Sequence, residues 1–459
     1  MNRRDFLLMA QALGLSAWFG DMVFAQSSGS ICIRRTATSQ AAITDIATLR
    51  RGVNVLKANP ASTQYGSWAY WANSHGTPDP VPPALQNVWR QCHHGTRHFF
   101  SWHRAYVFFF ESLIREITQT DAFALPYWDW YRSRSIPPAF AQGTVGGRPN
   151  DLFHQQRAYV RRTLLQGALQ RASFDVFQPD LEGNPHGTVH VMVGGEMGRV
   201  PTSARDPLFW AHHGNVDRMW SVWLALDNRR RNPSDSGWLN RSFAFDVAGN
   251  NRLTVAQLVN TEALGYRYDS VGITGPSDAV PRRPQNVVVM PPTPSAAPSG
   301  AFPSTLSEKK QLTLTGSSFR LDMRAPTGAR DRLSTMAVAP LARSGQLTLI
   351  LEGVRATDLG RQRGFEYRIY ANLPPKPSRK HRHSDFFLGV FNSFQLSYRA
   401  DYAADLSFPI GQLAPALAKH DLWTTTGINV SLISDDEETD KPLVTIENVK
   451  LIMSNAPTE

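Results

Sequence analysis

The sequence predicts a chain of two folded units, an α-helical domain followed by an all-β sandwich. Three observations predict it. Apolar residues recur at helical spacing as far as about residue 270. Residues 272 to 306 then hold eight prolines among Gly, Ser and Ala, a composition that suits a linker and not a core. Beyond them the apolar period changes to two, the mark of strands. At 459 residues the chain also exceeds one ordinary domain. The expected segments are 1–25 as a targeting signal, 26–271 as the helical domain, 272–306 as the linker and 307–459 as the sandwich.

Composition is that of a globular protein, 42% hydrophobic and 19% charged. The net charge of +10 comes without a basic run interleaved with aromatics, so it reads as a solvated surface and not a nucleic-acid groove. Arg3-Arg4-Asp5-Phe6-Leu7 opens the chain, and an apolar stretch to about Phe19 is too short for a stable membrane span. Val23-Phe24-Ala25 offers a cleavage site before Gln26. The segment resembles a bacterial twin-arginine export signal, which implies a periplasmic or secreted protein with no membrane span after cleavage. Removal of Arg3, Arg4, Asp5 and Asp21 leaves the net charge at +10.

Along the chain, Ile43, Ile46, Leu49, Val53 and Leu56 predict an amphipathic helix that Pro60 stops. Residues 66–76 read as a helix end running into a loop, with His75 near its close. Residues 101–119 read as a helix buried in its first half. Leu125 to Trp130 reads as an aromatic turn, residues 151–171 as a polar-faced helix, and 186–193 and 206–227 as two more helices. Leu347–Leu351, Phe365–Ile369, Ile428–Leu432 and Val444–Ile446 alternate as strands.

The chemistry lies in the histidines. Ten of 13 fall between positions 75 and 213. His94 and His103 flank an apolar, aromatic run, where an imidazole is costly unless hydrogen-bonded or metal-bound. His186 and His190 are four apart, on one face of a helix, with no Glu beside the first to suggest a zinc protease. The His212-His213 pair adds a further candidate, so with His75 the histidines make two sets of three. All-imidazole sites favour copper or zinc, and three ligands leave a position open. Only two cysteines occur, Cys32 and Cys92, and no cysteine-based zinc or iron–sulfur spacing exists. One disulfide is possible, but Cys92 stands two residues before His94, which points to another use.

His94-x4-Phe99-Phe100-Ser101-Trp102-His103-Arg104-x2-Val107-x3-Glu111 resembles the first copper signature of the tyrosinase family. Asp206-Pro207-x-Phe209-Trp210-x2-His213-x3-Asp217 resembles the second. The family comprises the type-3 dicopper proteins: tyrosinases, catechol oxidases (polyphenol oxidases) and molluscan hemocyanins. The resemblance covers roughly residues 31–270, and more loosely the linker and sandwich. It implies a four-helix-bundle-centred dicopper catalytic domain followed by the all-β sandwich. It implies two copper ions, the first on His75, His94 and His103 and the second on His186, His190 and His213. Phe99 and Phe209 each precede a ligand by four residues and so pack beside it, which favours His213 over His212. His93, His98, His154, His212, His381, His383 and His420 read as surface or hydrogen-bonded residues.

The resemblance extends further. Cys92-His93-His94 fits the arrangement that some members cross-link as a Cys92–His94 thioether. Glu182 matches a glutamate that holds a water and helps deprotonate the phenol. Gly187 stands where many true tyrosinases carry Asn, which argues against hydroxylation. Val200 matches a gate that is Phe in several catechol oxidases, and its small size leaves the entrance open. Tyr266-Arg267-Tyr268 resembles the motif that closes the catalytic core, with Arg34 or Arg35 as partner. Asp217, Arg104 and Glu111 read as buried supporting residues. The implied activity is O2-dependent oxidation of o-diphenols to o-quinones, with monophenol hydroxylation as its extension, on a small phenolic substrate. The alternatives are a hemocyanin-like dioxygen carrier or an o-aminophenol oxidase. The sandwich is expected to cover the site and hold the enzyme latent.

Overall fold

The structure is a computed structural model that describes residues 31–272, 288–290, 304–336, 347–376, 378, 380–381, 385–397 and 402–454. The targeting segment and most of the proline-rich stretch lie outside the described residues. The main helices are α1 (Ile43–Ala58), α2 (Trp68–His75), α3 (Phe99–Thr118), α4 (Thr188–Val193) and α5 (Leu208–Ala225). The chain divides into two compact units. The first comprises residues up to 156, 172–179 and 201–275; the second comprises 157–171, 180–200 and 276 onward.

In the first unit α3 is the central rod, with α1 and α5 packed against it. Its sequence explains why: fourteen of its residues are buried, including Phe99, Phe100, Trp102, Tyr106, Phe109 and Phe110. Gly52 lets α1 come close, because a Cβ there would stand 2.6 Å from Cδ1 of Ile114. From α5, Trp210 stacks on Phe110 with centroids 3.5 Å apart. Ser67 caps α2 by accepting from the Tyr70 amide at 3.1 Å. The ends of the unit meet in a parallel pair, β1 (Cys32–Arg34) with β2 (Tyr266–Tyr268).

That pairing seats a buried ionic cluster. Arg34 reaches Glu111 at 2.8 Å and Asp217 at 3.0 Å, with its guanidinium 3.6 Å from the Tyr266 ring centre. Arg104 holds the other Asp217 oxygen at 2.5 Å, and the Tyr266 hydroxyl donates to Asp217 at 2.7 Å. Burial pushes the Asp217 carboxyl up, but Arg104 and Arg34 outweigh it and hold it below the usual carboxylate range. Of the two arginines expected to partner the Tyr-x-Tyr motif, Arg34 does so.

The second unit holds β3 (Val288–Met290), β4 (Ser304–Leu314), β5 (Phe319–Arg324), β6 (Leu347–Ala356), β7 (Glu366–Ala371), β8 (Phe387–Asn392), β9 (Ala404–Pro409), β10 (Gly427–Ile433) and β11 (Val444–Met453). They form a four-stranded sheet in the order β9-β6-β11-β4 and a five-stranded sheet in the order β8-β7-β10-β5-β3. One hydrophobic core, with Leu349, Leu351, Phe391, Val430 and Val449 among its members, serves both sheets, as in a sandwich.

Residues 151–171 are not a helix. Apart from a short turn at Gly167–Gln170 the segment is irregular. Tertiary partners take the polar groups a helix would have satisfied internally. Val160 N–H donates to the Met192 carbonyl at 2.8 Å, Leu165 N–H to the Asn184 side chain at 2.7 Å, and Arg162 pairs with Asp436 at 2.6 Å.

Candidate metal centre

Each unit carries its own group of histidines, all buried except the half-buried His94. In the first, His75 is the last residue of α2, His94 lies in the loop before α3, and His103 is in the second turn of α3. Their ring centroids are 5.0 Å (His75–His94), 5.5 Å (His75–His103) and 5.0 Å (His94–His103) apart. One ligand atom from each of these three and from Cys92 lies within 4.8 Å of all the others. His213, on α5, stacks on His103 at 4.6 Å. Phe99 lies 4.6 Å from His103, and Phe209 packs at 4.1 Å from His213 and 4.7 Å from His75.

In the second unit His186 and His190 stand 4.7 Å apart and edge to face. His186 closes a wide turn, Glu182–Gly187, that leads into α4, where His190 sits. Gly187 and Glu182 are buried there.

The nitrogens are sorted by their partners. A carbonyl can only accept, so a ring nitrogen beside one carries the proton and the other nitrogen keeps its lone pair. Nδ1 of His103 donates to the Phe99 carbonyl at 2.8 Å. Nδ1 of His186 donates to the Glu182 carbonyl at 2.9 Å, and Nδ1 of His190 to the Met197 carbonyl at 2.8 Å. The Ser203 hydroxyl stands 3.2 Å from Nδ1 of His75. The carbonyl-bonded rings therefore present Nε2. Burial pushes the His186 imidazole down to about 3 against the raising effect of the Glu182 carbonyl, which keeps the ring neutral. Neutral imidazoles offering one nitrogen each are what a soft transition metal requires, so both clusters fit a metal site.

His212 differs from His213. The Trp130 indole N–H donates to its Nδ1 at 3.1 Å. An indole can only donate, so Nδ1 of neutral His212 accepts and Nε2 holds the proton. Cys92 Sγ is 3.4 Å from Nδ1 of His94 and 3.9 Å from Nε2 of His103.

Val200 clusters with Val191 and Phe394. Its amide donates to the Ser397 hydroxyl at 2.9 Å. The Phe394 ring lies flat on His190, 3.9 Å away and 8° from parallel. Phe394, Trp130 and Ser203 escape a sequence reading. Each acts on a histidine distant in the chain, and no local pattern marks it.

One unit thus packs helices around an imidazole cluster and the other carries a histidine pair beside its β-sandwich, an arrangement that fits metal binding. Residues 65–174 and 141–226 match the common central domain of tyrosinase. The tyrosinase HcTyr1 of Hahella sp. (strain CCB-MM4) is 30% identical over 250 residues, 45% of this chain and 53% of its own. The latent form of a chloroplastic polyphenol oxidase of Prunus armeniaca is 29% identical over 225 residues, 38% of each chain. These matches span less than two thirds of either relative. Among solved structures, latent apple tyrosinase superposes with a TM-score of 0.57 at 21% identity, covering 93% of this chain and 98% of that one. A latent aurone synthase (polyphenol oxidase) superposes at 0.59 and 19% identity, covering 94% and 90%, which extends the shared fold over both units. Residues 65–226 of this chain thus carry the central domain of the tyrosinase family.

Among the described residues no helix is long and apolar enough to cross a membrane.

Proposed function

We propose that the protein is a type-3 copper polyphenol oxidase that uses O2 to oxidise o-diphenols to o-quinones. The observation that carries this reading is the cluster of His75, Cys92, His94 and His103, whose ligand atoms lie within 4.8 Å of one another inside the family's central domain. His75, His94 and His103 would hold one copper ion, and His186, His190 and His213 the other. The copper pair, when bound, supplies dioxygen activation and accepts the two electrons of the diphenol.

The protein's own groups hold and orient. The carbonyls of Phe99, Glu182 and Met197 keep the ligand rings neutral and turned. Phe99 and Phe209 wall the rings with apolar surface. Glu182, 6% exposed, serves as base or water anchor for the phenolic proton. Gly187 offers no side chain to assist it, which favours diphenols over monophenols.

Latency belongs to the same reading. Phe394, on the turn after β8, covers the face of a proposed ligand, His190. The chain would then be exported as a 1–25 signal, a catalytic segment 26–271, a linker 272–306 and a covering segment 307–459, with cleavage in the linker releasing activity. A copper-loaded sample is assayed with catechol and with tyrosine, before and after limited proteolysis within 272–306. Catechol oxidation that rises on cleavage supports the reading. Reversible O2 binding without catechol turnover would make the protein a carrier like the hemocyanins, one of which, from Megathura crenulata, is 29% identical over 280 residues.

A further inference from the structure

Two glycines of the Glu182–Gly187 turn are filled from elsewhere in their unit. A Cβ on Gly183 would stand 2.7 Å from Cγ1 of Val390. A Cβ on Gly187 would stand 2.8 Å from Nδ2 and 3.3 Å from Oδ1 of Asn392. Val390 and Asn392 are two apart on β8, so they project from one face of the strand. Both are buried, and neither has room to retreat cheaply. Val390 is β-branched and stiff at χ1. The Asn392 side chain is bound on both sides: Oδ1 accepts from the Gln395 amide at 3.2 Å, and Nδ2 lies 3.4 Å from the Gly183 carbonyl.

Asn392 also closes the turn that follows. Its own amide donates to the Gln395 side chain at 3.1 Å, reciprocating the bond from Gln395. Phe394 lies inside that turn, with its ring on His190.

We propose that Gly183 and Gly187 form a socket for Val390 and Asn392, and that this socket seats Phe394 on His190. The absence of a side chain at 187 then serves the seating of the β-sheet segment, and Asn392 is a positioning residue for the closed state. The inference rests on the latency reading above. A side chain at either glycine lifts the 392–395 turn and uncovers His190 without proteolysis.

The test uses the full-length, copper-loaded chain and two readouts, amide hydrogen exchange of peptides spanning 386–397 and catechol oxidation. Gly183→Ala should speed exchange by roughly ten- to a hundredfold, the cost of overpacking a tight contact, and raise the oxidation rate. The double variant Gly183→Ala/Val390→Ala removes the clashing methyl and should restore slow exchange and low activity, which a merely damaged fold would not do. Should Gly183→Ala fail to fold, Asn392→Ala opens the turn without adding volume and should speed the same exchange. Faster exchange without a gain in activity would retain the socket and overturn latency. Wild-type exchange in folded Gly183→Ala, or in Asn392→Ala, would overturn the socket.

Discussion

The indole N–H of Trp130 donates to Nδ1 of His212 across 3.1 Å. This bond leaves the adjacent His213 as the α5 imidazole available to a metal. His213→Ala should therefore lose one of two bound copper ions, while His212→Gln should keep both. Copper content of the purified variants by atomic absorption decides it. Equal loss in both variants would contradict the assignment.

Cys92 and His94 meet at 3.4 Å, close enough for a covalent link to form with little movement. Joining Sγ to a ring carbon removes two hydrogens, with dioxygen as the oxidant. Mass analysis of the tryptic peptide containing both residues, from copper-loaded protein, should show it two hydrogens lighter than the free form. A titratable thiol at Cys92 in active enzyme would sink this expectation.

Asp217 pairs with both Arg34 and Arg104 in a buried site. Asp217→Ala leaves two buried guanidinium groups short of a partner and should cost about 3–5 kcal/mol. Chemical denaturation measures it. A loss below about 1 kcal/mol, the range of a surface pair, would show the cluster to be dispensable.

Much of this was readable in advance. The helices α3 and α5 and the strands around Leu347, Phe365, Ile428 and Val444 follow local apolar periods, and local periods are what a sequence displays; the two signatures on α3 and α5 were legible through their resemblance to the tyrosinase family, and of α2 only its end near His75 was. Other strands were hidden. β8, Phe-Leu-Gly-Val-Phe-Asn, is buried at every position and so does not alternate. β4, at the edge of its sheet, carries Glu308, Lys309 and Lys310 where a core strand would be apolar. The helix expected over 151–171 fails because Asn184, Met192 and Asp436, far along the chain, bond that segment instead. The cover on His190 depends on Phe394 meeting a ring 204 residues earlier, which no local pattern reports.

Glu366 gives the second unit a pH dependence. Burial raises its carboxyl to about 7, against the lowering effects of Arg162 and the Thr188 hydroxyl. The folded value thus exceeds the unfolded one of about 4.3. The folded chain holds the proton more tightly, so stability is greatest below the unfolded value and declines as pH rises from there through about 7. Glu366→Gln mimics the protonated form. Its melting temperature should match wild type near pH 4 and exceed it by a few degrees at pH 8. A variant less stable than wild type at pH 8 would contradict the sign.

Catechol-dependent oxygen uptake, with copper counted in the same sample of protein after the linker is cut, decides whether the chain is a dicopper oxidase. A dicopper oxidase should carry two copper ions per chain, with oxygen uptake abolished in both His94→Ala and His186→Ala. A folded wild-type chain that binds no copper, or uptake that persists in either variant, would contradict that reading.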